Sequence, residues 1–539
     1  MKHHLLLALS ISLVSPVLAQ GVWIGYDTGP QDRFGSAVAA QGPWTVAGAP
    51  REGAGAPEAG AVYLRHASTG SQFKLRSLTP LAGACFGSAV ALDGDLLLVG
   101  APGSGGALVG EVFLFEWDGS TWTQRSKWSA VGSSPGDGFG SAVAIKGDRL
   151  LVGAPGAGGT GQAQVFQWRG GRLGFEALLV SPQALPGDQF GGAVDLGARW
   201  AVVGAQGANS VVYNEGAAYV YDGANQYALD AILIEPGFQP NAFFGRSVAV
   251  DGDRIAVGAT HDHNTLNAPG QVHVFERSAA WQVRASVTAP GASGVDAFGY
   301  AVDLQDGRLL VGAPLAAGSG GAWAFEPFDG AWWASLVLDL SPTTNGDFVG
   351  GSLAWGSDGA VVGAMLDSTV GFAGGAVHRL DSAAVQAPLG VAFCGCEQGP
   401  PCGGTGSAHG CPNSTGVGAR LTAGGSSSMA ADDLTLELAD APPGSMAVLW
   451  MSGAHQHTPF LDGYLCIDSG PNGHLRAGLG QVGAQGSLTL GPGLWAPLGG
   501  AVTLRAGQGQ AFQAIYRDPG TPCGTGNGLS EALWVRLEP

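Results

Sequence analysis

The sequence predicts an all-β fold, because three features of its 539 residues agree. A stretch of about 50 residues is repeated along residues 20–385, which is the period of stacked or circular repeat architectures. Within each copy, short apolar runs are separated by Asp-Gly or Gly-rich turns, the pattern of strands joined by hairpins. The C-terminal part contains further short apolar runs at spacings of about 8–12 residues, which also indicates β-structure.

The starts of the copies are marked by phenylalanine followed by glycine. These phenylalanines are separated by 52, 53, 51, 54, 54 and 50 residues, and a second glycine follows each of the first six after fourteen residues. The seventh copy reads Phe348-Val349-Gly350, so we interpret Val349 as an insertion that lengthens the gap to Gly363 to fifteen. The seven residues are Phe34, Phe86, Phe139, Phe190, Phe244, Phe298 and Phe348.

Each copy contains up to four strand-like runs, which is the content of one propeller blade. We therefore predict a seven-bladed β-propeller over residues 20–385. Gly, Ala and Ser dominate the first runs because the innermost strands crowd around one axis. The repeated phenylalanine is expected to be a wedge between neighbouring blades, and burial of such a ring stabilises by about 1.5–3 kcal/mol.

The seventh copy lacks a convincing fourth run, whereas the region before the first Phe-Gly has an unpaired one. We expect residues 22–26 to supply the outer strand of the last blade. This arrangement would tie the two ends of the repeat array together and remove an open sheet edge.

The repeated Phe-Gly followed by Gly-Ala-Pro, literal at 48–50, 100–102, 153–155 and 312–314, resembles the FG-GAP repeat family. That family is known from the seven-bladed propeller of integrin α subunits and from bacterial secreted proteins. The resemblance covers roughly residues 22–385. It raises the possibility of calcium in blade loops, but no run of the D-x-[DN]-x-[DN]-G type occurs here. We predict no metal and no cofactor, and place Asp93–Asp95 and Asp251–Asp253 in hairpin turns.

The net charge of −18 disfavours nucleic acid and anionic membranes as partners, since both attract basic surfaces. Residues 1–19 predict a secretory signal peptide, with a basic start, an apolar stretch and a small residue before the cut. An N-terminal membrane anchor is the alternative, but the apolar run is shorter than a typical span. We expect a monomer, secreted or at the cell surface, with no membrane insertion after cleavage.

Six of the seven cysteines follow residue 390, and a Cys/Gly/Pro-rich stretch begins at residue 386. In an exported chain they favour disulfides within a smaller β-sandwich at 416–539, with 386–415 as the linker. A zinc site at Cys394, Cys396, Cys402 and Cys411 is the alternative, but it lacks paired C-x₂-C ligands. The C-terminal module is similar to modules of large secreted proteins of environmental bacteria. Cys85 is expected to be a buried apolar residue.

Several polar and aromatic groups have both a functional and a structural interpretation. Acidic residues just before the repeated phenylalanines form either a carboxylate ring or turn caps, and we favour caps. Two His-x-His pairs suit a metal only if a third ligand is nearby, so we favour exposed loop polarity for them. Tryptophans at blade edges suit either sugars or packing, and we favour packing. The groups are Asp32, Asp137, Asp188, Asp296 and Asp347; His261-Asp262-His263 and His455-Gln456-His457; and Trp117, Trp122, Trp128, Trp168 and Trp332-Trp333.

No nucleophile motif such as Gly-x-Ser-x-Gly is evident, so we assign no catalytic residues. We expect a non-enzymatic recognition or adhesion scaffold that binds a protein or glycan ligand through the irregular loops 205–216 and 259–270. One alternative is a secreted carbohydrate-active or hydrolytic enzyme. It requires carboxylate, His, Tyr or Arg residues that converge at one mouth of the channel. The other alternative is a structural component of an outer cell layer.

Overall fold

The chain is all-β in its described part, and it divides into two compact units, residues 1–385 and 386–539. Apart from strands, the described residues contain three short 3-10 helices, Ala157–Gly159, Gly223–Asn225 and Ala316–Gly318, and no α-helix. The computed structural model describes residues 20–104, 109–130, 132–209, 212–237, 239–261, 270–289, 296–328, 331–337, 340, 343–356, 359–369, 371–381, 391–393, 411–424, 434–452, 455–460, 463–467, 475–492, 494, 509–518 and 527–536. The predicted signal peptide lies outside these residues. Within them, no helix combines the length and the hydrophobicity that a membrane crossing requires.

The first unit consists of four-stranded antiparallel sheets, which we number 1 to 7 along the chain. Each sheet begins with its innermost strand, and consecutive strands are joined by hairpins, as the Asp-Gly turns predict. In sheets 1 to 4 the strands are β2 Val38–Gln41, β3 Trp44–Ala49, β4 Ala61–His66 and β5 Gln72–Leu75; β6 Ala89–Asp93, β7 Leu96–Ala101, β8 Glu111–Trp117 and β9 Trp122–Trp128; β10 Ala142–Lys146, β11 Arg149–Ala154, β12 Gln162–Arg169 and β13 Arg172–Leu179; β14 Ala193–Leu196, β15 Trp200–Ala205, β16 Ala217–Asp222 and β17 Ala228–Leu233.

Sheets 5 to 7 follow the same order, except that the last sheet takes its fourth strand from the start of the chain. Their strands are β18 Phe244–Asp251, β19 Arg254–Ala259, β20 Gln271–Arg277 and β21 Trp281–Val287; β22 Ala301–Gln305, β23 Arg308–Ala313, β24 Gly321–Phe328 and β25 Ala331–Val337; β26 Val349–Gly356, β27 Gly359–Ala364, β28 Ala376–Asp381 and β1 Gln20–Trp23.

The expected joining of the two ends is confirmed. Strand β1 pairs antiparallel with β28, and Val22 lies opposite His378 in the register. The strand begins at Gln20 and ends at Trp23, two to three residues earlier than the sequence suggested. Trp23 is buried and stacks edge-on against Phe34 of the first copy, with 5.0 Å between the ring centroids.

The expected role of the repeated phenylalanine as a wedge is also confirmed. Six of these rings are fully buried, and each belongs to a buried cluster that draws apolar residues from two neighbouring sheets. Phe139, for example, packs with Leu98, Val112 and Leu114 of sheet 2 and with Leu150 and Val152 of sheet 3. The first unit is therefore held together by a series of clusters between sheets rather than by one central core.

In the seventh copy the wedge is Val349, and our interpretation of this residue as an insertion is wrong. Val349 forms a parallel bridge with Gly320, which is the bridge that Phe86 forms with Gly60. It is fully buried among residues of sheets 6 and 7, and Gly363 follows it after fourteen residues, as in the other copies. Phe348 is therefore not the wedge, and it occupies the position directly before the wedge in the repeat.

Glycine is required where one copy touches the next. A Cβ on Gly100 would lie 2.0 Å from the carbonyl oxygen of Gly140, and a Cβ on Gly363 would lie 2.1 Å from that of Gly35. The same contact occurs at each intervening boundary, so the last copy meets the first in the way that neighbours meet. The innermost strands also contact one another in this circular order and enclose a channel of about 400 Å³.

The second unit contains a five-stranded sheet ordered β29-β38-β37-β32-β35 and a three-stranded sheet ordered β30-β31-β36, with β33 and β34 as a separate pair. One buried cluster includes Leu436 and Leu438 of the smaller sheet and Leu449, Phe512 and Val535 of the larger. The strands are β29 Val391–Phe393, β30 Arg420–Gly424, β31 Thr435–Ala439, β32 Met446–Ser452, β33 His455–Phe460, β34 Gly463–Ile467, β35 Leu475–Gln481, β36 Leu488–Leu490, β37 Gly509–Arg517 and β38 Asn527–Arg536.

The segment expected to be a linker is partly built into this second unit. Strand β29 pairs antiparallel with β38 in the five-stranded sheet. Cys411 and Cys466 each take part in a disulfide, and the other four cysteines after residue 390 lie outside the described residues.

Candidate functional site

The residue before each buried wedge adopts a left-handed backbone conformation in all seven copies. Non-glycine residues rarely adopt it, so the turn is a constrained feature of the repeat. Four of these residues, Gln189, Phe243, Ala297 and Phe348, line one cavity. The full set is Arg33, Cys85, Gly138, Gln189, Phe243, Ala297 and Phe348, with φ between 53° and 64°.

The second residue after each wedge is serine in three copies, glycine in two and a large residue in two. In the first three copies it is Ser36, Ser88 or Ser141, whose hydroxyl donates to the carbonyl oxygen three residues earlier at 2.7–2.8 Å. In sheets 5 and 6 the same position carries Arg246 and Tyr300. The serine closes its own turn, whereas the two large side chains line the cavity.

The cavity has a volume of about 600 Å³, and its walls come from the loops of sheets 4 to 7. Such a volume is typical of pockets that bind small molecules. Its described lining includes four aromatic rings, four amide side chains, one arginine and one histidine, and no carboxylate. They are Tyr213, Phe243, Tyr300 and Phe348; Gln189, Gln206, Asn209 and Asn214; Arg246; and His261.

Arg246 contacts two neighbours, Tyr300 and Gln206, and each of these is itself held by a further residue. Its guanidinium carbon lies 4.2 Å from the centroid of the Tyr300 ring, and Tyr300 packs edge-on against Phe348 at 5.3 Å. One guanidinium N–H donates to Gln206 Oε1 at 3.2 Å, and Gln206 in turn donates to Gln189 Oε1 at 2.7 Å. This chain of contacts orients the guanidinium within the cavity.

His261 forms a second polar feature of the wall. It is 6% exposed, has a left-handed backbone, and its Nε2 lies 2.8 Å from Glu235 Oε1. His273 Nε2 is 3.6 Å from the same oxygen, an electrostatic contact rather than a hydrogen bond. Burial alone would raise the pKa of Glu235, but the two histidines outweigh it and lower the pKa to about 2. His261 Nδ1 has no hydrogen-bond partner among the described residues.

Both loops named from the sequence contribute to this cavity. Gln206, Asn209, Tyr213 and Asn214 belong to the loop 205–216, and His261 belongs to the loop 259–270. Residues 262–269 of the second loop, including Asp262 and His263, lie outside the described residues. Sequence reasoning missed Arg246, Tyr300 and Phe348. For Arg246 and Tyr300 the available signal was their departure from the serine or glycine of the other copies.

The acidic residues before the wedges are turn residues, as favoured from the sequence. Four of them accept a hydrogen bond from the backbone N–H three residues earlier, and the same turn recurs from sheet to sheet. Burial raises the pKa of Asp32 and Asp188. These turn acids are Asp32, Asp137, Asp188 and Asp347, bonded to Gly29, Ser134, Leu185 and Thr344.

The other sequence candidates lie away from the cavity. Asp93 and Asp251 end innermost strands at hairpin turns, and the tryptophans pack between blades, which supports the structural interpretation of both groups. The side chains of Trp333, His455 and His457 lie outside the described residues. Cys85 is free and half-buried rather than buried. No set of three potential metal ligands is found in the described parts of the chain. The packed tryptophans are Trp117, Trp122, Trp128, Trp168 and Trp332.

Carboxylates on the channel wall connect neighbouring sheets. Asp195 accepts from the backbone N–H of Val250 at 2.7 Å, and Asp303 accepts from that of Trp355 at 2.6 Å. Burial raises the pKa of both, and the pKa of Asp195 reaches about 7, with Asp303 adding to its shift. These groups join the sheets rather than forming a ligand site.

The fold and the cavity define a class, a β-propeller with a cavity built from its loops. The family model for the FG-GAP repeat matches residues 24–64, 72–115, 122–166, 174–221 and 229–275. Five copies of the repeat are therefore FG-GAP repeats, and they form part of a β-propeller.

Comparison with curated proteins gives no match. Among solved structures, the chain is similar to one in "Crystal Structure of Mitotic Checkpoint Complex", at 11% identity and a TM-score of 0.45, over 70% of this chain and 99% of that one. It is also similar to the β-propeller domain of the Trilobed protease from Pyrococcus furiosus, at 10% identity and a TM-score of 0.39, over 62% and 91% of the two chains. Nothing about the function of this chain follows from either.

Proposed function

We propose that this protein is a non-enzymatic recognition or adhesion scaffold that binds a protein or glycan ligand in the loop cavity. The observation that carries this proposal is the break in the repeat at Arg246 and Tyr300. The first three copies show that serine satisfies the turn at the position of Arg246 and Tyr300. Large side chains are therefore not needed at this position to form a blade. Their place on the cavity wall suits contact with a ligand.

The proposed scaffold is a closed seven-bladed propeller. The circular order of contacts between innermost strands supports closure, as does the pairing of β1 with β28. A closed ring holds loops from four sheets at fixed separations, which reduces the conformational entropy lost on binding. The second unit is proposed to be a disulfide-bearing β-sandwich, supported by its two sheets around one cluster.

We further propose that the protein acts outside the cell, as a secreted or surface-attached monomer. FG-GAP repeat proteins are often extracellular or surface proteins, and the start of the sequence has the pattern of a signal peptide. The alternative is that the protein is a structural component of an outer cell layer, a role to which the second unit would contribute.

The test is a binding screen of the intact protein against purified surface proteins and a glycan array. We expect at least one ligand that wild type binds and the Tyr300→Ser variant does not. Tyr26→Ser is the matched control, because Tyr26 is also a partly exposed tyrosine but does not line the cavity. Equal binding by wild type and Tyr300→Ser for every ligand found would contradict the proposal.

An enzyme remains the second candidate, because His261, Tyr300 and Arg246 converge on one cavity, as that alternative requires. The lining argues for binding instead. Glycoside hydrolysis uses two carboxyl groups that flank the scissile bond, and none lines the described cavity wall. Turnover of chromogenic glycosides or esters by wild type, lost in His261→Ala, would favour the enzyme.

A further inference from the structure

We infer that the loop cavity binds a sugar residue that carries a carboxylate, as in a uronic acid, and this inference rests on the proposed binding function. Three observations support it. Arg246 has no ion-pair partner among the described residues, the cavity walls carry aromatic rings and amides, and His261 Nδ1 has no hydrogen-bond partner among the described residues. Each points to a different part of such a ligand.

The carboxylate is inferred from Arg246. Its guanidinium contacts the amide oxygen of Gln206 and the ring of Tyr300, and no carboxylate lies within ion-pair distance of it among the described residues. A guanidinium has five N–H donors in a planar fork, so most of them are available to a ligand. Carboxylates fit this fork through two parallel hydrogen bonds, which are stronger than bonds between neutral groups.

A single carboxylate fits better than a polyanion. The protein has a formal net charge of −18, so a strongly anionic polymer is repelled at long range. Only at short range does the charge of Arg246, which has no ion-pair partner among the described residues, dominate. The ligand is therefore expected to be largely neutral, with an acid group at the end that enters the cavity.

The sugar ring is inferred from the other walls. Phe243, Tyr300 and Phe348 present flat apolar surfaces on which the C–H faces of a pyranose can stack. Gln189, Gln206 and Asn214 supply amide donors and acceptors that match neighbouring hydroxyl groups. A purely apolar ligand would bury the remaining donors and acceptors of these amides without new partners, which disfavours its binding.

His261 provides a further polar contact at the wall. Its Nε2 is bonded to Glu235, so an Nε2-H tautomer leaves Nδ1 as an acceptor, and this atom has no partner among the described residues. A buried acceptor without a partner is costly, and a ligand hydroxyl would satisfy it.

The experiment is calorimetric titration of the intact protein with short oligosaccharides that end in galacturonic, glucuronic, mannuronic or guluronic acid. Each is paired with its neutral counterpart, and an acetylated glutamate peptide serves as a non-sugar carboxylate. We expect a uronic acid probe to bind, its neutral counterpart to bind at least about tenfold more weakly, and the peptide not to bind.

Three variants connect this binding to the cavity. Arg246→Gln is expected to weaken uronic acid binding at least about tenfold, and Arg246→Lys to weaken it less, because lysine keeps the charge but loses the fork. Arg308→Gln is the matched control: Arg308 also stacks on an aromatic ring, that of Trp355, but does not line the cavity. Thermal unfolding of each variant verifies that it folds.

The inference is overturned if no uronic acid probe binds, if neutral and acidic sugars bind equally, if the peptide alone binds, or if Arg246→Gln binds as wild type does. In each of these cases the proposed function survives when the wider screen finds another ligand whose binding requires Tyr300. It fails separately when no ligand in that screen depends on the cavity.

Discussion

The guanidinium of Arg246 lies over the ring of Tyr300, 4.2 Å from its centroid, and the two residues occupy the same repeat position in neighbouring sheets. Elsewhere this position holds serine or glycine, and each serine donates to the carbonyl oxygen three residues earlier in its own turn. The contact therefore marks the part of the ring where the repeat changes from a structural turn to a cavity wall.

Close contact between copies predicts a strong effect of adding one methyl group. Gly100→Ala would place Cβ 2.0 Å from the carbonyl oxygen of Gly140, which is backbone and cannot move aside. We expect a loss of free energy of unfolding on the order of 3 kcal/mol, measured by chemical denaturation. Gly174→Ala is the control, since its Cβ meets nothing closer than 3.9 Å and should change stability by about 0.5 kcal/mol or less. Similar stabilities for the two variants would contradict the close backbone contact between neighbouring copies.

The joining of the chain ends predicts that β1 contributes to stability through one side chain. Trp23 is 4% exposed and packs on Phe34, so we expect Trp23→Ala to cost about 3–5 kcal/mol of unfolding free energy. Val22, the next residue in the same strand, is 38% exposed, and Val22→Ala should have a much smaller effect. Equal melting temperatures for the two variants would show that the strand is not part of the folded ring.

The buried carboxyl group of Asp195 on the channel wall predicts that the free energy of unfolding depends on pH. Because burial raises its folded-state pKa from 3.8 to about 7, the folded state binds more protons than the unfolded state between these values. The free energy of unfolding should therefore fall as pH rises from about 4 to about 7 through this group. Asp195→Asn removes that contribution, so the curve of the variant, measured by urea unfolding, should be flatter across this window. A curve of unchanged slope would contradict the assignment. Asp303, whose pKa is also raised, contributes to the pH dependence in the same direction in wild type and in the variant.

Much of the fold could be predicted because each feature of the repeat has a local cause. Asp93-Gly94 requires a hairpin, and Gly100 requires close backbone contact, so the strand order follows from the sequence alone. Val349 was misassigned because Phe348 has the residue type of the wedge. The spacing of fourteen residues between Val349 and Gly363 was the better guide, since backbone contact fixes spacing more strictly than side-chain identity.

The site could be predicted only in part. Irregular composition identified the loops that contain Tyr213 and His261, because binding residues concentrate on loops held by a rigid scaffold. Arg246 and Tyr300 belong to strand starts that look regular, and only the ring brings them together. The partnership of His261 with Glu235 joins residues 26 positions apart through contact between sheets, which no local pattern reveals.

The central claim is that Arg246 and Tyr300 serve a ligand and not the fold, and the double variant Arg246→Ser/Tyr300→Ser tests it most directly. Serine at these positions should close each turn as Ser36 and Ser88 do, so the melting temperature should remain close to that of wild type. The measurement is the affinity of this variant for the ligand that wild type binds. The account predicts a folded protein whose binding is lost. A folded variant that binds as wild type does, or a variant that no longer folds, would contradict it.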